Sequence, residues 1–261
     1  ILCGGEAVML RFLAKQMLLP DTSGYYESKA SPVLLDRDGD MLYAFLAEDN
    51  QWRFPATVDK ISPLLIQATV ATEDKRFYTH AGVDARAVLR AVWLNLKSAR
   101  FASGASTLTM QLVKMHTPTV RTLPGKIQQA IMAIRIDNAM TKDAILEAYL
   151  NNAPYGSNLV GVEAASRRYF NKSCAELTLP ESALLAGIPK SPTSFDPLRY
   201  PDNALRRRNH VLHRMATENM ISPHACQAAL SQPLNAAWHD YPEQAPHLAM
   251  LLRDKLEKRF F

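Results

Sequence analysis

Apolar residues along this chain follow two regimes, one short and hairpin-like near the start, one at helical spacing over most of the rest. Between Pro32 and Phe45 two apolar runs, Val33-Leu34-Leu35 and Met41 to Phe45, flank Asp38-Gly39. Asp-Gly between two such runs predicts a β-hairpin, since it tolerates the positive φ that a tight turn needs. Beyond Pro63 apolar residues recur every three to four positions, which predicts helices near 64–74, 84–97, 106–116, 125–139, 142–151, 160–170, 181–187, 202–219 and 245–259. Local punctuation agrees with this division. Thr141 is placed to cap the helix through Ile145, Leu146, Tyr149 and Leu150, with Asp143 in its first turn. Gly104 precedes a helix whose apolar stripe is Leu108, Leu112 and Met115, and Pro189 and Pro192 mark the loop after the helix ending near Gly187. The pattern describes a mainly α-helical domain with a small β piece at its start.

Composition narrows the class without naming a function. The 261 residues are 48% apolar and 21% charged, an ordinary globular balance with enough chain for one large core. A net charge of +5 suits an anionic partner, whether nucleic acid, phosphate or an acidic bilayer, and does not choose among them. Cys3, Cys174 and Cys226 are too scattered for a disulfide framework or a metal site, and read as buried, inert thiols. No run approaches the roughly 20 apolar residues of a spanning helix, and the stretch from Ala7 to Leu19 is broken by Arg11 and Lys15. The sequence opens on Ile1, which is compatible with an anchor or signal segment upstream.

Four clusters could carry chemistry. Glu73-Asp74 arrives as the apolar helix from Leu64 to Ala71 ends, with Phe77, His80, Gly82 and Asp84 close behind. Read plainly this is a solvated helix end; packed among such neighbours, one carboxylate can serve as a general base. Thr107, Gln111 and Lys114 lie at i, i+4 and i+7, placing hydroxyl, amide and ammonium on one helix face opposite the apolar stripe. The small residues Ser103, Gly104, Ala105 and Ser106 lead into that helix start, where backbone N–H groups can meet an anion. An ordinary amphipathic helix would show the same spacing. Lys126 and Gln129 share a helical face, and with Lys114 and Arg121 they could floor a diphosphate site or simply form a solvated basic turn. Trp93, Leu94, Leu96 and Phe101 among Arg90, Lys97 and Arg100 suit either an interfacial membrane segment or a surface helix.

Taken in order, these clusters resemble a known family. Glu73-Asp74-x-x-Phe77-x-x-His80-x-Gly82-x-Asp84 and Gly104-Ala-Ser106-Thr107-Leu-Thr-Met-Gln111-Leu-Val-Lys114 look like the first two signatures of the peptidoglycan glycosyltransferases, glycosyltransferase family 51. Ile145-Leu-Glu147-Ala-Tyr149-Leu-Asn151 and Glu181-Ser-Ala-Leu-Leu-Ala-Gly187-Ile-Pro189-Lys-Ser-Pro192 resemble its later ones. The likeness covers roughly residues 32 to 220, and Met110-Gln111 with Gly125-Lys126 are most similar to the penicillin-binding protein 1C branch of bifunctional enzymes. It implies a mainly α, lysozyme-like helical glycosyltransferase fold with a small membrane-associating subdomain and a short N-terminal β-hairpin. It also implies an N-terminal segment over 1–30, the glycosyltransferase domain over 31–220 and a helical connection over 221–261 toward a transpeptidase domain.

By the same resemblance the substrate is lipid II and the partner a nascent glycan chain, at the periplasmic face of the cytoplasmic membrane. Other cell-wall synthesis proteins are further partners, and nucleic acid is not one. Glu73 would be the general base for an inverting transfer that expels a lipid diphosphate. Asp74, His80, Ser106, Thr107, Gln111, Lys114, Arg121, Lys126 and Gln129 would line the site or hold the diphosphate. No residue is assigned as a metal ligand. Mg²⁺ is the expected cofactor, although Gln129 stands where most of the family has a glutamate, and an amide is the poorer ligand. Two other readings stay open: a catalytically weak module that binds lipid II or a cell-wall partner, and a lysozyme-like hydrolase or lytic transglycosylase. The last would need a proton donor and would have no use for three cations converging on a diphosphate.

Overall fold

The computed structural model describes residues 30–90, 106–117 and 122–260. Cys3, the predicted linker from Ser23 to Tyr26, the Trp93–Phe101 segment, Gly104 and Arg121 lie outside them, as does the second half of the helix expected near 84–97, of which residues 85–90 are helical.

The N-terminal hairpin forms, from β1 (Val33–Leu35) and β2 (Met41–Ala44), paired antiparallel. Its connection is longer than the two-residue turn that Asp38-Gly39 alone suggests. Asp36 Oδ1 accepts the backbone N–H groups of Asp38 and Asp40, each at 2.9 Å, so an aspartate side chain organises the whole loop and Gly39 takes φ +91° within it.

The first helix, α1 (Pro63–Glu73), starts on a proline and buries Leu65, Ala68, Thr69, Val70 and Ala71. Small residues on that face let neighbours approach closely. It packs against α6 (Leu179–Gly187) and α7 (Pro201–Thr217), two helices more than a hundred residues further on. Between them in sequence come α2 (Leu108–His116), α3 (Leu123–Ala139), α4 (Lys142–Asn152) and α5 (Val162–Phe170), with α2 lying against both α3 and α4. Thr141 caps α4 as its sequence position predicts, its hydroxyl accepting the Ala144 N–H at 3.2 Å. Thr178 and Glu181 form a reciprocal capping box at the start of α6. The apolar residues of these helices meet in one core, in which Leu65, Leu108, Leu112, Ile145, Leu146 and Tyr149 are among the fully buried side chains.

Two elements depart from the periodicity reading. A small antiparallel pair, β3 (Pro154–Gly156) and β4 (Leu159–Val160), occupies the turn between α4 and α5. Residues 221–260, the expected helical connection, include the helix predicted near 245–259 and an extended run that the spacing does not announce. They contain α8 (Pro223–Leu230) and α9 (Pro246–Phe260), with the extended run between them. That run is tied down by hydrogen bonds from the N–H groups of Ala237, His239 and Gln244 to the carbonyls of Tyr169, Arg168 and Leu42. Cys174 and Cys226 are buried and unpaired, and burial pushes the Cys174 thiol far above the ordinary range, as expected of inert thiols. Among the described residues no helix is long and apolar enough to cross a membrane.

Candidate active site

Helix α1 ends at Glu73 because Asp74 leaves helical geometry, with φ −159° and ψ 75°. A carboxylate at a helix C-terminus faces the negative end of the helix dipole, so it requires cations from elsewhere. Helix α7 supplies them. Arg207 donates one Nη–H to Glu73 Oε1 at 3.0 Å and its Nε–H to the Gly187 carbonyl at 3.1 Å. Arg214 donates to the carbonyl of Ala71, satisfying one of the orphan acceptors of the last turn of α1. The other Glu73 oxygen accepts the Gln111 amide N–H at 3.0 Å, and Tyr149 O–H reaches the carbonyl end of that amide at 3.4 Å. Burial, reinforced by the charge on Glu73, raises the Tyr149 phenol well above its usual range, so it stays a neutral donor. Glu73 is thus fixed by two donors from two helices, and lone pairs on its oxygens remain for a further partner.

The loop after Glu73 is locked as firmly. Asp74 accepts from His80 Nε2 at 2.9 Å and from the Leu108 N–H at 3.1 Å, tying the loop to the start of α2. Arg76 forms a two-point ion pair with Asp84, and Asp84 also accepts the Ala87 N–H at the start of the next helix. Gly82 takes φ +74° against α3, where an added Cβ would stand 2.4 Å from the Ala133 carbonyl oxygen. Only glycine fits there. Lys142 closes the arrangement: its ammonium donates to the His80 carbonyl at 2.7 Å, pairs with Asp137 and lies 4.7 Å from the centre of the Phe77 ring. Replacing Lys142 with Met is expected to cost about 1–3 kcal/mol in urea unfolding, since it strands the largely buried Asp137 carboxylate and the loop carbonyl. An arginine at 142 should recover part of that loss.

These residues enclose a polar cavity of about 500 Å³. Glu73, Asp74, Ser106, Thr107 and Gln111 line it, together with Lys190, Arg207, His210 and Arg214. Burial, and after it the charges of Arg207, Lys190 and Arg214, hold His210 below the usual histidine range. Next to Ser106 the basic floor is assembled: Lys126 Nζ donates to the Ser106 hydroxyl and to Gln129 Oε1, the latter at 3.3 Å. Lys126 is lowered from the ordinary lysine range, first by burial and then by the charge of Lys114. The like charge of Lys114 disfavours the Lys126 ammonium, and a bound anion would relieve that repulsion.

The sequence candidates therefore fall into three groups. Glu73, Asp74, Ser106 and Gln111 come together at the cavity, and Lys114, Lys126 and Gln129 gather beside it. Thr107 borders the cavity as well, but it and His80 act as supports. Thr107 is the N-cap of α2 rather than part of its exposed face, and its buried hydroxyl accepts from Met110 N–H and donates to the Gly82 carbonyl. His80 acts through Asp74. Arg121 lies outside the described residues.

Arg207 is the residue that pattern reading passes over, although its signal is in the sequence. Ala204, Arg207, Arg208, Val211, Leu212 and Met215 are the buried stripe of α7, spaced i, i+3, i+4, i+7, i+8 and i+11. Two arginines thus occupy core positions, and buried cations need partners. Arg208 finds the carbonyls of Leu230, Gln232 and Pro233, whereas Arg207 finds Glu73.

Protein-held Mg²⁺ does not fit this donor set. Among the described residues no group of three or more His, Cys, Asp or Glu side chains could hold a metal ion. The three carboxylates nearest the cavity are each engaged, Glu73 by Arg207 and Gln111, Asp74 by His80 and Asp84 by Arg76. Gln129 turns its amide oxygen to an ammonium group.

Comparison with known proteins identifies the family. A family model described as transglycosylase matches residues 38–216. The chain is 37% identical to penicillin-binding protein 1C of Escherichia coli (strain K12) over 88% of its length and 30% of that protein's. It is 44% identical to penicillin-binding protein 1A of Aquifex aeolicus (strain VF5), over 70% of this chain and 26% of the relative. Against the crystal structure of penicillin-binding protein 1A from Haemophilus influenzae the identity is 26% and the TM-score 0.48, covering 90% of this chain and 25% of that one. The chain thus spans less than a third of the length of these relatives.

Proposed function

Since the chain belongs to the transglycosylase family, we propose that it is a peptidoglycan glycosyltransferase that polymerises lipid II into glycan strands. The observation that carries this reading is Glu73, fixed by Arg207 and Gln111 on the wall of a polar cavity whose Ser106 takes a hydrogen bond from the Lys126 ammonium.

In this mechanism Glu73 takes the proton from the acceptor sugar hydroxyl as its oxygen attacks the donor's anomeric carbon from the face opposite the diphosphate. The carbon–oxygen bond to the diphosphate breaks and its electron pair leaves with the lipid diphosphate, so the anomeric centre inverts. Lys114 and Lys126, with Ser106, stand where that charge develops, and charge-assisted bonds to the departing oxygens lower the barrier. Both oxygens of Glu73 accept hydrogen bonds, the geometry of a group that receives a proton. A hydrolase would need an acid here, and would release muropeptides from purified sacculi.

Gln129 does not dismantle the floor. Its amide oxygen accepts the Lys126 hydrogen bond, as a carboxylate would. It does remove a negative charge that a metal would neutralise, and we take the cations to serve where a metal would. Polymerisation of labelled lipid II in detergent is therefore expected to continue when divalent cations are chelated, with less than about a tenfold loss of rate, below what removing one principal stabilising contact costs. Loss of all polymer on chelation would return the metal to the mechanism. The membrane location follows from the lipid substrate.

A further inference from the structure

Away from the catalytic cavity lies a shallow depression of about 410 Å³, lined by Ser157, Asn158, Asp196, Leu198, Arg199 and Trp238. Trp238 is 50% exposed, and yet it is held rigidly. Its indole N–H donates to Asp240 at 2.8 Å, and its ring stacks on the guanidinium of Arg168 at 4.2 Å. Arg168 is itself buried, donates to the His239 carbonyl and lies 3.9 Å from the Tyr241 ring, so the platform beneath Trp238 is built into the core. An exposed tryptophan fixed on both counts loses little rotamer freedom when something binds to it.

The rest of the lining has the chemistry of sugar recognition. Asn158 and Ser157 sit in left-handed backbone conformations at φ 55° and 44°, which turn the β3–β4 connection toward the depression. Asp196 is buried and orients the rim, accepting from the Ser157 hydroxyl and from the N–H groups of Leu198 and Arg199. Arg199 is 70% exposed and only loosely paired with Asp196, at 3.9 Å, which leaves a cation at the rim. The segment that ends in Asp196, Leu198 and Arg199 begins at Lys190, on the wall of the catalytic cavity.

We propose that this depression is a second saccharide subsite, which takes an N-acetylated glycan bearing carboxylates. The apolar face of a pyranose ring lies on the indole of Trp238, its amide and hydroxyl groups meet Asn158 and Ser157, and a lactyl or peptide carboxylate meets Arg199. The choice of a peptidoglycan strand as the glycan rests on the transferase reading above, and the subsite would hold the growing product beyond the cavity.

The test is calorimetric titration of the chain with a lipid-free tetrasaccharide of alternating N-acetylglucosamine and N-acetylmuramic acid, with chitotetraose as the uncharged comparison. The parent should bind the muramyl sugar more tightly. Trp238→Ala should weaken both by about tenfold, the scale of one lost aromatic contact. Trp238→Phe should keep most of the affinity and shows that the fold tolerates change there. Arg199→Gln should abolish the preference for the muramyl sugar and leave chitotetraose unaffected. Unchanged affinity in Trp238→Ala, or no binding by the parent, overturns the proposal. The probe carries neither lipid nor diphosphate, so its binding is scored whether or not the chain polymerises lipid II, and failure of either reading shows separately.

Discussion

Glu73→Gln is expected to lower the rate of lipid II polymerisation by about 10²–10⁴-fold while leaving lipid II bound, the range that loss of a positioned general base produces. The amide keeps the shape of the carboxylate: its carbonyl oxygen can accept from Arg207, and its NH2 can donate to Gln111 once that side-chain amide turns over. The lost charge leaves Arg207 less well compensated, so the melting temperature should fall while the fold survives and KM moves little. What the amide cannot do is take the proton from the acceptor hydroxyl. Initial rates and KM measured together separate this outcome from a collapsed cavity, which would raise KM as well.

Arg207→Met carries the second large effect, on two observables at once. The Arg207–Glu73 pair is nearly buried, with side chains 6% and 12% exposed. Removing one partner of such a pair costs about 3–5 kcal/mol, because the remaining charge is left without compensation. Turnover should also fall by about 10², the loss that follows when a reacting group is misplaced by an ångström. Arg207→Lys keeps the charge but not the planar fork that spans the Gly187 carbonyl and Glu73 together. It should therefore recover stability more than turnover. Thermal unfolding and single-turnover polymerisation on the three proteins check both arms. A variant with methionine at 207 that melts and turns over like the parent would remove Arg207 from the account.

Much of this architecture is legible from residue order because its determinants are local. Thr141 caps α4, Thr178 and Glu181 box the start of α6, and the apolar stripe of α2 buries Leu108 and Leu112 where spacing alone places them. Legibility fails where a side chain acts at a distance or in place of a backbone pattern. Thr107 looks like the first residue of a polar helix face, and instead caps the helix and reaches the Gly82 carbonyl. The β3–β4 pair is too short for any alternation to show, and it turns on Ser157 and Asn158 in left-handed conformations that local propensity does not announce. Glu73 is conspicuous as one of two carboxylates at a helix end, but Arg207, its partner, is 134 residues away. Helix α7 brings the two together only because it packs across α1 in the folded core. Gly82 belongs between these cases: its place among the motif residues is visible in sequence, whereas its reason, the carbonyl of Ala133, is not.

The central claim is that the chain extends glycans with Glu73 as base, and one measurement bears on it most directly. Labelled lipid II is incubated in detergent with the parent and with Glu73→Gln, and each sample is resolved both for bound lipid II and for polymer. The account predicts a ladder of glycan from the parent, and bound but unextended lipid II from the variant. Lipid II held by the parent without any chain growth, or equal ladders from both proteins, would contradict it.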